Sequence, residues 1–159
     1  MSSPQQLENI TYDELSVGDS ASFSRTLSEQ DLVLFAAVSG DVNPLHLDEA
    51  FAATTPFKER IAHGMWSGSL ISAALATVLP GPGTIYLGQS LAFKRPVKLG
   101  DTLTVKLEVL EKQEKNRVVI GCSVTNQKDE EVVAGEAKVM APTAKVSVSA
   151  PELPAINIG

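Results

Sequence analysis

From Ile61 to Phe93 the chain carries no Asp, Glu, Lys or Arg, and this stretch limits what can be built around it. Within it, residues 64–79 interleave Met65, Trp66, Leu70, Ile71, Leu75, Val78 and Leu79 with Gly68, Ala73, Ala74 and Ala76, apolar or small on every side. A helix with that pattern belongs in a core rather than on a surface. Its small residues let a sheet approach closely. It does not read as a membrane span, which needs about 20 consecutive apolar residues. Pro80-Gly81-Pro82-Gly83 cuts the stretch, and Ser67, Ser69, Ser72 and Thr77 dilute it.

After Gly83 the pattern changes to period two and to β-forming residues, which predicts strands over 84–94, 102–110, 117–125 and 131–140. Gly100-Asp101 and Gln127-Lys128-Asp129 supply turns between them. These strands are long against a usual mode of about 5–6 residues. Long antiparallel strands following one buried helix imply an α+β domain in which a curved sheet wraps around that helix. Upstream, Ser20 to Leu27 alternates weakly, and Ser28 with Asp31 resembles a helix start. Leu32, Leu34, Phe35 and Val38 then have helical spacing and stop at Gly40. Asp48 is placed to cap a short helix through Ala53. Residues 1–12 read as a loose leader and 13–141 as the domain. Residues 142–159, with Pro142, Pro151 and Pro154, read as an extended tail or linker.

Composition narrows the partners. A net charge of −6 argues against nucleic acid, whose phosphates require a basic face, but it leaves room for one phosphorylated small molecule. The single cysteine, Cys122, excludes an internal disulfide framework and a Cys-based zinc site, and its apolar neighbours make it a core filler. Met1-Ser2-Ser3-Pro4-Gln5-Gln6 has neither a basic start nor an apolar run, so the expected location is cytoplasmic.

Three groups of residues could carry chemistry. The first is Asp41-Val42-Asn43-Pro44-Leu45-His46. On a helix, Asp41 and His46 would point about 140° apart. Asn43-Pro44 favours a loop instead, and on a loop the two can converge as an acid–base pair of the kind that hydration of a double bond needs. The alternative is that Asp41 and Asn43 satisfy turn amides while His46 packs. As a metal set, Asp41, Asn43, His46 and Asp48 lack the glycine and terminal Glu of a calcium loop and offer only one imidazole. The second group is Ile61-Ala62-His63-Gly64-Met65-Trp66, at the start of the apolar helix. The first amides of a helix have no internal partner and face a favourable dipole. Gly64 would let a carbonyl come near without a Cβ in the way. A plain packing role for Gly64 and a capping role for His63 stay open there, and so does His63 as a rival base. The third is Lys94-Arg95-Pro96-Val97-Lys98, a basic cluster able to meet the phosphates of coenzyme A or simply to be solvated.

Taken together, Gly40 to His46, Ala62 to Met65 and Tyr86-Leu87-Gly88-Gln89-Ser90-Leu91-Ala92-Phe93 resemble the MaoC-like, (R)-specific enoyl-CoA hydratases, in order, from about Asp13 to Ala141. The resemblance implies a single hotdog domain, a homodimer whose sheets join, and a substrate tunnel near the dimer interface. It implies reversible syn addition of water to trans-2-enoyl-CoA, giving (R)-3-hydroxyacyl-CoA without a cofactor or metal. By the same resemblance Asp41 and His46 hold the attacking water and the Gly64 amide binds the thioester oxygen. Asn43, His63, Met65, Gln89 and Lys94 fall among the substrate-binding positions, with Asn43 shaping the loop. The first proton assignment gives Asp41 the proton of water and lets His46 deliver one to C2; the reverse uses the same atoms. An ordinary aspartate is a weak base, so the first assignment requires a buried carboxylate. A hotdog thioesterase and a non-catalytic acyl-CoA-binding module are the rival readings. The two ends of the chain also resemble the front part of longer bacterial proteins that carry a phosphate acetyl- or butyryltransferase domain behind it, which leaves a stand-alone protein and part of a longer one both open.

Overall fold

The structure, a computed structural model, describes residues 5–158. In chain order its elements are β1 (Gln6–Glu8), β2 (Ser20–Thr26), α1 (Glu29–Ser39), α2 (Pro44–Leu47), α3 (Glu49–Ala53), α4 (Gly64–Thr77), β3 (Ile85–Gln89), β4 (Ala92–Phe93), β5 (Thr102–Lys112), β6 (Arg117–Thr125), β7 (Glu131–Met140) and β8 (Ser147–Ser149). β2, β5, β6, β7 and β3 form an antiparallel sheet in that order, and β4 also pairs with β7. The helix–sheet arrangement is the hotdog fold that the sequence implied. Alternation sets which face is inside: Leu103, Val105, Leu107 and Val109 of β5 are fully buried, while Lys106 and Glu108 between them are exposed. The buried side chains of β5, β6 and β7 enclose Leu70, Ile71, Ala74 and Leu75 of α4 in one core. Each large apolar side chain so buried contributes about 1.5–3 kcal/mol relative to exposure.

The start of α1 is a capping box, with Asp31 N donating to Ser28 Oγ (3.1 Å) and Ser28 N to Asp31 Oδ2 (3.3 Å). Gly40, at φ 80°, ends the helix in the left-handed region and turns the chain into the next loop. Asp48 caps α3 through a bond from Phe51 N, as its position suggested.

Four features differ from the sequence reading. The strand expected over 84–94 is broken into β3 and β4, because the Ser90 carbonyl folds against Gly135, where a Cβ would lie 1.8 Å from the oxygen. The loop after Gly40 contains a helical turn, α2, begun by Pro44 with Asn43 as its cap. The helix α4 is covered on one side only: Met65, Ser69, Ser72 and Ala76 form an exposed stripe beside the exposed Tyr86. Finally, the leader and the tail meet. β1 pairs with β8, and buried Asn9 donates from Nδ2 to the carbonyls of Pro82 and Ala144 while its Oδ1 accepts from Val146 N. A polar side chain carrying three long-range bonds has no periodicity, so only the fold reveals it. Truncating Asn9 strands those groups, each worth about 1–3 kcal/mol when buried unpaired. Asn9→Ala is therefore expected to lower the unfolding free energy by about 2–4 kcal/mol, read from urea denaturation; an unchanged midpoint would show that the two ends contribute nothing to the fold.

Candidate active site

The loop between α1 and α2 divides the two oxygens of Asp41 between two tasks. Oδ1 accepts from Asn43 N (3.1 Å), the local turn bond that sequence reasoning offered as the alternative to a chemical role. Oδ2 is free of the turn and lies 3.9 Å from His46 Nε2. Asn43 Oδ1 in turn accepts from Leu45 N (3.1 Å), which starts α2 and sets the direction of His46 one residue later. The local and the chemical readings of Asp41 are thus both realised.

His46 is buried and held from behind at two points. Its Nδ1 lies 2.7 Å from the carbonyl of Ile61. A carbonyl can only accept, so Nδ1 carries a proton, and in the neutral ring Nε2, facing Asp41, is the nitrogen with the lone pair. The His46 carbonyl accepts from Arg60 Nε (2.8 Å), and Arg60 Nη1 bonds Glu29 Oε1 (2.9 Å) at the start of α1. Arg60 is itself buried, and sequence reasoning missed it. The available signal was a cation standing immediately before the charge-free stretch. Burial of Asp41, which the first proton assignment required, is absent: its side chain is 50% exposed.

His63 stacks on His46, with ring centroids 3.8 Å apart and planes 25° from parallel, and its centroid lies 5.0 Å from that of the tilted Phe35 ring. The ligand atoms of Asp41, His46 and His63 lie within 4.8 Å of one another. Each histidine spends one nitrogen on a backbone carbonyl, and Asp41 spends one oxygen on the turn, which leaves one free ligand atom on each side chain. The set suits an acid–base site.

Gly64 follows His63 as the first residue of α4, where an amide has no intrahelical acceptor. It lines a cavity of about 300 Å³ with Ile61, His63, Ser67, Phe93 and the run Lys94 to Val97. Lys94 is at that cavity but not free: its Nζ bonds Glu131 Oε1 (2.6 Å), which together with Ser123 holds the Glu131 carboxyl below its usual range. Arg95 and Lys98 pair likewise with Glu130 and Glu59, so the basic cluster is largely neutralised. Met65 and Gln89 line a second, mostly apolar cavity of about 400 Å³ with Phe35, Gly68, Ser69, Ser72, Tyr86 and Leu91. Tyr86 bonds Gln89 there, and burial, with Cys122 adding a smaller effect, pushes the Tyr86 hydroxyl up to about 12, so it stays a donor.

Residues 15–132 match the MaoC-like domain family. The chain belongs to that family. It is 47% identical over 131 residues to the (R)-specific enoyl-CoA hydratase of Rhodospirillum rubrum, covering 82% of this chain and 91% of that protein. Over 140 residues it is 45% identical to the 3-hydroxybutyryl-CoA dehydratase of Methylorubrum extorquens, covering 86% and 87%. Among solved structures, an unliganded R-hydratase from Pseudomonas aeruginosa is 65% identical, with a TM-score of 0.95 over 98% of this chain and all of that one.

A methyl on Gly64 would lie 3.0 Å from the edge of the Phe93 ring at this cavity. Phe93 is exposed, so the ring can move. The cost should therefore fall on the ligand rather than on the fold. Gly64→Ala is expected to cut kcat/KM by about tenfold or more through misplacement of the reacting carbonyl, with the thermal midpoint nearly unchanged.

Proposed function

We propose that this MaoC-like domain is an (R)-specific enoyl-CoA hydratase, adding water reversibly across trans-2-enoyl-CoA to give (R)-3-hydroxyacyl-CoA. The observation that carries the reading is the 3.9 Å gap between Asp41 Oδ2 and His46 Nε2. It is too long for a direct hydrogen bond and suited to a bridging water. Both atoms are acceptors, so a water between them directs both its protons at the pair and presents its oxygen to C3.

Imidazole is the stronger base of the two in water, and the exposed carboxylate has no burial to strengthen it. His46 therefore takes the water proton that the first assignment gave to Asp41, and keeps the delivery to C2. As the water oxygen bonds C3, His46 Nε2 takes its proton, and Asp41 with the Ile61 carbonyl stabilises the imidazolium. The electron pair of the double bond moves towards the thioester oxygen, held by the Gly64 amide. The Nε2 proton then passes to C2 on the same face, which gives syn addition and restores the neutral ring. Such a preorganised amide is worth about 2.7–4 kcal/mol in comparable sites.

The apolar cavity containing Met65 and Gln89 suits the acyl chain, and the cavity bordered by Lys94 suits the thioester end. The uncovered stripe of α4 and the exposed Ile85, Tyr86 and Leu87 suit a homodimer in which a second copy closes the tunnel. Sedimentation equilibrium is then expected to give twice the 16.8 kDa chain mass, and Leu87→Asp to give a monomer.

Asp41→Asn and His46→Gln should each lower turnover by at least about 100-fold, the low end for acid–base groups, with the fold intact. With crotonyl-CoA, loss of the conjugated-enone absorbance should proceed without release of thiol. Thiol appearing at the same rate would establish the thioesterase instead, and near-full rates in both variants would place the reacting groups elsewhere, with His63 the next to test.

A further inference from the structure

His63 is the only histidine besides His46, and the reaction just described does not use it. It is 3% exposed, and its placement joins the two halves of the site. Through its side chain, Nε2 lies 2.9 Å from the backbone carbonyl of Asp41. Through its backbone, it leads directly into Gly64. One residue therefore spans from the loop that holds the water to the amide that holds the thioester oxygen. The Asp41 carbonyl can only accept, so Nε2 of His63 carries the proton. Its Nδ1, buried and without a hydrogen-bond partner among the described residues, is then the unprotonated nitrogen. A proton there would be an N–H buried with no acceptor, beside a ring that itself becomes positive in each turnover.

We propose that His63 is a positioning residue, not a proton carrier: it clamps the Asp41–His46 loop at a fixed distance from the Gly64 amide. The two histidines accordingly hold opposite tautomers, Nδ1–H in His46 and Nε2–H in His63. This role rests on the hydratase reading, although the tautomers can be measured apart from it.

The full chain, free of any tag, has two imidazoles, so a two-bond proton–nitrogen correlation spectrum at neutral pH should contain one ring of each tautomer. Two rings of the same tautomer would overturn the proposal. In kinetics, glutamine places an amide N–H where Nε2 was, whereas asparagine places it near Nδ1 and leucine offers none. His63→Gln should keep kcat within about fivefold, as expected when a hydrogen bond is replaced. His63→Asn and His63→Leu should lose about 100-fold in kcat, the scale of a site misplaced by about 1 Å, with KM changed by less than about threefold. A packing role predicts instead that Leu matches or exceeds Gln, and a proton-carrying role that Gln is as inactive as Leu; either result overturns the clamp. The Gln-against-Asn comparison holds even if His63→Leu fails to fold. If Asp41→Asn and His46→Gln keep full rate while the tautomers are opposite, the assignment of that pair as the reacting groups fails and the clamp geometry stands.

Discussion

A helix without a single charged side chain cannot stay in water on most of its surface, and the sheet of this protein is organised by that demand. β5, β6 and β7 turn every second residue inward, and the resulting apolar wall closes on Leu70, Ile71, Ala74 and Leu75 of α4. Enclosing the helix also fixes where its first turn lies, and the first amides of that turn have no acceptor within the helix. The site is built against that end. Ile61, His63 and Gly64 are the last residues before the helix and the first within it, and Ile61 and His63 touch His46 directly.

The two parts of the site arrive by different routes. His46 comes from a loop that α1 delivers, and its orientation depends on contacts made by the segment Arg60 to His63. Arg60 holds its backbone, the Ile61 carbonyl holds Nδ1, and the His63 ring lies against its face. Three contacts from one short segment leave His46 little freedom in ring angle or tautomer. In this way the buried helix, through the residues preceding it, governs the chemistry of a loop about 20 positions earlier in the sequence. Asp41 is treated differently. One oxygen is tied to the turn and the other is left free of it on a half-exposed side chain.

Much of this was legible beforehand, and the reasons can be stated element by element. The period of two after Gly83, the turn residues at Gly100-Asp101, the Ser28–Asp31 start and the Gly40 stop all report local physics, and each is found where it was expected. The pairing of Asp41 with His46 was suggested by Asn43-Pro44 breaking the helix between them. The division of residues 84–94 into two strands was not legible, because its cause is Gly135 on a neighbouring strand. Nor was the union of residues 6–8 with 147–149, since neither segment has a pattern of its own.

What the sequence alone determined is therefore the set of elements, the faces they bury and the three motifs that carry the family. Those properties follow from residue type and spacing along the chain. What only the tertiary structure decided is the working geometry: the 3.9 Å gap between Asp41 and His46, the tautomers fixed by two backbone carbonyls, and the neutralised state of Lys94. Each depends on atoms brought together by folding from distant positions, and a backbone carbonyl leaves no mark in a side-chain sequence. The uncovered stripe of α4 belongs with these, because an apolar residue reads the same whether its own sheet covers it or leaves it for another surface.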